Sequence, residues 1–416
     1  MSPEEAVTSR GNTVRRVLRG TRNEGKIIVP STVRILGTHG VPAAYGGFET
    51  AAENVGLYLH DRGWNVIVYC QVPGEGPTTV DRWNGLERVL IREPLEGWRG
   101  TSSFDLKSIR HATKAHEDGD VWLTFGYNTA IFDVMPRLRG IPNVINMDGM
   151  EWTRKRWGVL KQGILLANER IAGWIGNVLI ADHPVIATYL RRHFGRRRVT
   201  TITYGAHEVT EASTAPVTEL DLTPGQYAIM VCRPIPENSV LEIVTAWSRH
   251  RRGMPLVVVG PYDRSDPYHA EVMDAASDEV LFPGAIFEPE RMQSLRFHAT
   301  AYLHGHTVGG TNPSLVEAMA AGNAVIAHDN QYNTWVAGPE NAYFSDADDL
   351  TPLLDSIIGD AQRRERMGAA SRQRFREEFT WDKIGSEYEA ALLTARDRRK
   401  PKSATLHNDT GIEVAK

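Results

Sequence analysis

Cysteine is scarce: the 416 residues hold two, Cys70 and Cys232, each closing a short apolar run that reads as a buried strand. Two isolated thiols make neither a disulfide framework nor a CxxC metal site, and such sparse use fits a reducing compartment, so a cytoplasmic protein is the expectation. No apolar run approaches the roughly 18 residues of a membrane span. None of signal-peptide length follows the basic stretch that holds Arg10, Arg15, Arg16, Arg19 and Arg22, so neither export nor membrane integration is expected. An excess of one charge is missing too. The 47 basic and 51 acidic side chains leave a net charge of −4, which gives no global attraction for nucleic acid. What is there is an ordinary globular composition, 41% hydrophobic and 24% charged, which excludes a largely disordered chain.

At roughly 150 residues per domain the length implies two domains and an extra segment. Short β-rich apolar runs alternate with amphipathic stretches, the pattern of βαβ units around parallel sheets. A first set of strands is expected over Val33 to Thr38, Asn65 to Cys70, Leu86 to Arg92, Val121 to Thr124, Asn143 to Met147, Asn177 to Ala181 and Val199 to Thr203. A second set covers Tyr227 to Cys232, Leu256 to Gly260, Val280 to Phe282, Ala299 to Leu303, Ala324 to Ala327 and Ala342 to Phe344. The fold class is therefore α/β, two open sheets in tandem, with ligands at the C-terminal strand ends and the cleft between the sheets as the natural site. The expected division is a flexible basic arm at 1–30, a first domain at 31–207, a surface linker at 208–225, a second domain at 226–396 and a polar tail at 397–416. The last helix of the second domain is a candidate to return to the first.

Two loops carry the chemistry. After the first strand comes Gly37-Thr-His-Gly-Val-Pro-Ala-Ala-Tyr-Gly-Gly-Phe-Glu49, leading into a helix expected over Phe48 to His60. Glycines let the backbone approach a ligand, and the helix start presents unpaired N–H groups, which suits an anion or a sugar. The spacing is not GxGxxG, which argues against a dinucleotide. In the second domain, His304-Gly-His-Thr-Val-Gly-Gly-Thr-Asn-Pro-Ser-Leu-Val-Glu-Ala-Met-Ala-Ala-Gly322 starts at a strand end. Gly309, Gly310 and Thr311 form a loop whose amides suit a diphosphate, Asn312 is the expected N-cap, and Pro313 and Ser314 open the helix. Glu317 suits a ribose hydroxyl, with compensation of the helix dipole as its plain alternative. Arg233, at another strand end, suits charge on a leaving diphosphate, although a lone arginine is more often a surface residue. His304 and His306 stand two apart with no third ligand at metal spacing, so no metal is expected. His39 and His183 are possible site-wall groups.

These runs resemble the retaining GT-B glycosyltransferases of family 4, and within it the rhamnosyltransferase-like branch. The resemblance spans about Val33 to Leu393. It rests on GTHGVPAAYGGFET, NMDGMEWTRKRWG, ADHPVIATYL, ITYGA, CRPIPEN, FPGAI and GHTVGGTNPSLVEAMAAG, in that order. It implies two facing Rossmann-like domains, with the nucleotide sugar on the second and the acceptor on the first. By resemblance Arg233 binds the donor diphosphate, Glu317 holds the ribose, Phe282 to Ile286 with Gly284 wall the base, and Gly46 and Gly47 let the first loop approach both substrates.

Two positions depart from the family pattern. The first Glu of its paired-Glu signature falls on Gly309, and its usual Lys falls on Asn238. The resemblance then implies a donor needing less hydroxyl recognition, such as dTDP-rhamnose. A UDP-hexose, or a non-catalytic nucleotide-sugar-binding scaffold, is the alternative.

On the acceptor side the candidates are Tyr45, Phe48, Asp148 and Trp152, with Asp148 either a polar contact or the N-cap of a helix starting near Trp152. Transfer with retention, the departing diphosphate helping to deprotonate the acceptor, follows from the resemblance and needs no metal or other cofactor. Expected partners are the nucleotide sugar and a glycan or lipid-linked acceptor. The basic and aromatic stretch Trp152 to Trp157, with Arg191, Arg192, Arg196, Arg197 and Arg198 around Phe194, suits an anionic membrane surface or equally a solvated helix face.

Overall fold

A computed structural model describes residues 31–44, 46–154 and 157–398. The basic arm at 1–30, Tyr45, and all but the first two residues of the tail lie outside them. Every strand expected from the sequence forms, within a few residues of its expected ends. The first sheet uses β1 (Thr32–Leu36), β2 (Asn65–Pro73), β3 (Thr79–Trp83), β4 (Leu86–Glu93), β5 (Val121–Phe125), β6 (Asn143–Asn146), β7 (Val178–Ala181) and β8 (Val199–Thr201). The second uses β9 (Ala228–Val231), β10 (Leu256–Val259), β11 (Val280–Leu281), β12 (Ala301–His304), β13 (Ala324–His328) and β14 (Ala342–Phe344).

The orders are β3-β4-β2-β1-β5-β6-β7-β8 and β11-β10-β9-β12-β13-β14. Both sheets are parallel except for the β3–β4 pair. Strands buried on both faces read as unbroken apolar runs, and β5 (VWLTF) and β10 (LVVV) are buried at every position. The strand that sequence reading missed, β3, pairs with β4 through Asn84-Gly85, both at positive φ, which is a two-residue hairpin turn.

Strand order reverses direction at β1 in the first sheet and at β9 in the second. The crevice outside the carboxyl end of such a switch strand is where an open α/β sheet binds ligands. The glycine-rich turn leaves β1 and Arg233 follows β9, so both switch points carry residues singled out from the sequence.

Two features tie the halves together. The last helix, Trp381–Asp397, packs on the first sheet, where Asn146 donates from Nδ2 to the Tyr388 hydroxyl (2.8 Å) and the Trp64 indole donates to Glu389 (2.9 Å). Its end is anchored as well, for Arg398 donates to the carbonyls of Asn177 (2.8 Å) and Arg197 (2.6 Å), so the expected polar tail begins as ordered helix end. The segment 208–225, which composition reads as a surface linker, is instead built into the second core. Val209, Val217 and Leu222 are buried there, a short helix forms at Ala215–Thr218, and the Val209 amide donates to Ala320. Its few apolar residues are spaced too irregularly to announce that packing.

Candidate functional site

The helix Gly47–Asp61 holds the turn after β1 in place through two of its own carboxylates. Glu49 accepts from the His39 amide (2.8 Å) and faces His39 Nδ1 at 3.1 Å, while Glu53 accepts from the Ala43 amide (2.6 Å). Burial pushes the Glu49 carboxyl up, but the hydrogen bonds from His39 outweigh it and the net shift is downward. The same bond raises the His39 imidazole against the opposing effect of burial. Gly47 faces the other half closely: a Cβ there would stand 3.3 Å from Pro313, and 3.6 Å from Tyr204 of its own half.

Across the cleft, β12 leads into the loop before the helix Pro313–Ala320. Asn312 caps that helix as expected, its Oδ1 accepting from the Ser314 amide (3.3 Å) and hydroxyl (3.0 Å). The loop amide expected to hold a diphosphate is engaged by the opposite half: Thr311 N donates to Asp182 Oδ2 (3.2 Å), and the Thr311 hydroxyl donates to the Asp182 carbonyl. Gly310 has to be glycine for this contact, since a Cβ would run into the Asp182 carboxylate. Complete burial, with repulsion from Asp148 added, pushes the Asp182 carboxyl up to about 7.

Three cavities meet at Gly47. The largest, about 640 Å³, lies between the halves, with Gly46, Gly47, Glu53, Asn54 and His207 on one side and Ile286, Phe287, Met292, Arg296 and Glu317 on the other. A second, about 320 Å³, joins Phe48, Asn146, Asp148, Arg154 and Asp182 to Arg233 and Thr311. Gly47, Tyr204, Pro313 and Trp381 line both, so the two adjoin. A third, about 280 Å³, belongs wholly to the first half and shares Gly47 and Phe48 with the second.

Arg233 is exposed into the second cavity with no carboxylate partner among the described residues. Arg154 stands in the same cavity, paired with Glu151 (2.6 Å) and more loosely with Glu237 (3.6 Å). Asn238 does not reach a cavity. It is buried and donates from Nδ2 to the Arg233 carbonyl (2.8 Å), bracing the turn that presents the arginine.

Asp148 lines the second cavity at φ +52, an uncommon conformation for a residue other than glycine, with its amide bonded to Asn146 Oδ1 (3.0 Å). Its reading as an N-cap does not hold, because the short 3-10 turn Glu151–Thr153 begins after Met150. Trp152 lines none of these cavities; its indole donates to Glu169 (2.8 Å).

Glu317 lies beyond the first turn of its helix, which removes the dipole reading, and it pairs with Arg296 (2.6 Å). In the FPGAI run, Ile286 and the next residue, Phe287, reach the large cavity. Phe282 instead packs on Tyr262 (ring centroids 4.7 Å apart), and the Gly284 carbonyl accepts from Gly260 (3.1 Å). Gly309 faces open space at φ +150.

The histidines divide by position. His304 and His306 stack 4.3 Å apart, burial and neighbouring charge lowering both, and no group of three metal-ligating side chains occurs among the described residues. His183 caps the helix Pro184–Phe194 and packs across the cleft on Trp335 (4.9 Å), burial pushing it down to about 4. Sequence reasoning missed Asp182, Arg154 and Arg296. The first two sit inside motifs it quoted, but nothing local distinguishes them from ordinary surface charges.

The Asp182 contact makes a prediction. A carboxyl raised from its ordinary value contributes stability that is fully present below about pH 4 and lost as the pH rises through about 7. Asp182→Asn keeps an acceptor for the Thr311 amide and removes that loss. Melting temperatures from pH 5 to pH 8 should therefore show the variant gaining on the wild type as the pH rises; a constant difference would contradict the assignment.

Two family models match the chain: a domain of unknown function, DUF1972, over residues 30–207, and a glycosyl transferase-like domain over residues 241–390. No curated protein matches by sequence. Among solved structures, sucrose-phosphate synthase from Thermosynechococcus elongatus is similar at 17% identity and TM-score 0.72, covering 86% of this chain and 98% of its own. HepE from Anabaena, solved with UDP and glucose, gives 13% identity and TM-score 0.66 over 88% of this chain and 100% of its own. A glycosyltransferase from Rickettsia africae gives 12% and 0.65 over 88% and 99%. The chain has the GT-B fold and carries a glycosyl transferase-like domain in its second half: it is a glycosyltransferase.

Proposed function

We propose that the chain moves a sugar from a nucleoside-diphosphate donor held mainly by its second half to an acceptor on its first. The observation that carries this reading is the Arg233 guanidinium at the β9 switch point, without a carboxylate partner among the described residues, in a cavity that adjoins the larger one lined by Glu317. The donor diphosphate lies against Arg233 and Arg154, whose fixed positive charge stabilises the departing group without a metal. Arg154 supplies the second cation that the Lys-to-Asn departure at 238 removes. The base rests against Ile286 and Phe287, and a ribose hydroxyl bonds to Glu317, which Arg296 holds in place. Gly47 admits the transferred sugar to the junction of the cavities, where Asp148 is the polar contact.

The family 4 resemblance adds retention of configuration and, with no side chain at Gly309 to bond sugar hydroxyls, a deoxysugar donor such as dTDP-rhamnose. A UDP-hexose is the second reading, favoured by the HepE neighbour solved with UDP and glucose. The acceptor is a glycan, free or lipid-linked, of a cell-surface polysaccharide, met at the inner face of the membrane.

Arg233→Ala should lower kcat by about 10²- to 10³-fold, the loss typical of removing one charge-stabilising donor, with an unchanged melting curve. Glu317→Gln should raise the donor KM more than it lowers kcat. In thermal-shift titrations dTDP-rhamnose should stabilise the protein more than UDP-glucose; the reverse order replaces the first donor reading with the second.

Membrane contact is proposed for one end of the helix Val159–Ile175. No helix among the described residues is long and apolar enough to cross a membrane. Val159, Leu160 and Ile164 are nonetheless exposed together, beside Lys161 stacked over Trp157. Apolar side chains rimmed by cations suit the surface of an anionic bilayer. Arg198 does not join this surface, because it donates to the carbonyls of Trp174 (3.3 Å) and Gly176. Liposomes containing anionic lipid should pellet the protein at low salt, and Leu160→Glu should abolish pelleting; sedimentation that ignores lipid charge and this substitution would contradict the contact.

A further inference from the structure

The third cavity has a chemistry of its own. It opens at the carboxyl ends of β1 and β5, beside the junction where the transferred sugar is proposed to sit, and shares Gly46 and Gly47 with the large cavity. At about 280 Å³ it stands near the small end of ligand pockets, which start at roughly 300 Å³. That is room for one ring-sized ligand.

Its lining contains no lysine or arginine among the described residues. The polar groups are amides, hydroxyls, acids and the His39 imidazole. Asp105 is buried, with Oδ2 accepting from the Thr129 hydroxyl (2.7 Å), and the His39–Glu49 pair forms another wall. The side-chain oxygen of Gln71 is buried here with no hydrogen-bond partner among the described residues. A buried acceptor left unpaired costs about 1–3 kcal/mol, which a ligand hydroxyl would recover. Phe48, Phe104 and Phe125 supply flat apolar faces.

This combination separates two kinds of acceptor. A phosphate or carboxylate placed beside Asp105 and Glu49 meets no arginine or lysine, and the one imidazole in the lining, His39, is already engaged by Glu49 at 3.1 Å, so the anion would be desolvated without a free cation to neutralise it. An uncharged polyol ring satisfies the acids and the amide with its hydroxyls and covers the phenyl rings with its C–H face. The two arginines stand outside this pocket, in the neighbouring cavity.

We propose that the third cavity is the subsite for the terminal sugar of the acceptor and that it takes an uncharged pyranose, held by Gln71, Asp105 and the His39–Glu49 pair. This rests on the glycosyltransferase reading and narrows it: any phosphate of a lipid-linked acceptor lies outside the pocket, beyond the sugar that receives the transfer.

Ligand-observed NMR tests this with p-nitrophenyl glycosides of neutral hexoses, the matching glucuronide as the anionic probe, and UDP and dTDP as donor-side controls. Neutral glycosides should give saturation transfer and the glucuronide should not. Gln71→Leu should weaken the glycosides about tenfold, the worth of one hydrogen bond to a buried group. Thr101→Trp, which fills the pocket from its rim, should abolish them, and both variants should still bind nucleotide. Glucuronide binding as strong as that of the glucoside overturns the proposal, as does glycoside binding that survives Thr101→Trp, or nucleotide binding with no glycoside binding. If neither nucleotide binds the wild type, the donor reading fails, and this inference with it.

Discussion

The near-contact of two helix starts across the cleft, Gly47 on one side and Pro313 on the other, is the constraint around which the site is arranged. The missing side chain eases that approach, since a Cβ would stand 3.3 Å from Pro313, tighter than ordinary van der Waals contact. It brings the C-terminal ends of both switch-point strands to one place and divides the cleft into adjoining spaces. Helix starts attract anions, so apposing two of them without a ligand leaves orphan donors to satisfy. Asp182 meets part of that need by accepting from Thr311, at the cost of a buried carboxylate that prefers its proton near neutrality. A bound diphosphate would compete with this carboxylate for the same amide.

The spaces differ in charge because they draw on different loops. Arg233 and Arg154 come from the turns after β9 and β6 and place two guanidinium groups in the second cavity, Arg154 paired with Glu151 and Arg233 without a carboxylate partner among the described residues. Arg296 in the large cavity is neutralised by Glu317. The pocket beyond Gly47 is lined by acids, amides, the His39 imidazole and phenyl rings, with no lysine or arginine among the described residues. A nucleotide sugar meeting its acceptor presents the same order of groups, with a polar but uncharged nucleoside at one end, two phosphates in the middle and, beyond the transferred sugar at Gly47, the neutral sugar of the acceptor.

Much of the fold was legible because parallel strands buried on both faces leave unbroken apolar runs. The β3 hairpin was missed because its strand is half exposed and short, although Asn84-Gly85 is a turn signal that could have found it. The segment 208–225 was misread because three buried residues in an irregular stretch make no period. In the site, residues whose role follows from chain geometry were readable: Asn312 is a cap because it stands before Pro313 at a helix start. Residues whose role depends on the other half were not, since nothing in the sequence near Asp182 says that it will meet Gly310 and Thr311 across 129 positions. Phe282 and Ile286 show the same limit within one segment, for which of them faces the cleft depends on how the strand edge turns.

Backbone hydrogen exchange, followed peptide by peptide with and without UDP or dTDP, bears most directly on the claim that a nucleotude sugar is held between the two switch points. The account predicts slowed exchange in the turn after β9 at 232–239 and in the loop and helix start at 305–317, with a smaller effect at 37–50 across the cleft. Protection confined to other surfaces, or none at saturating nucleotide, would contradict it.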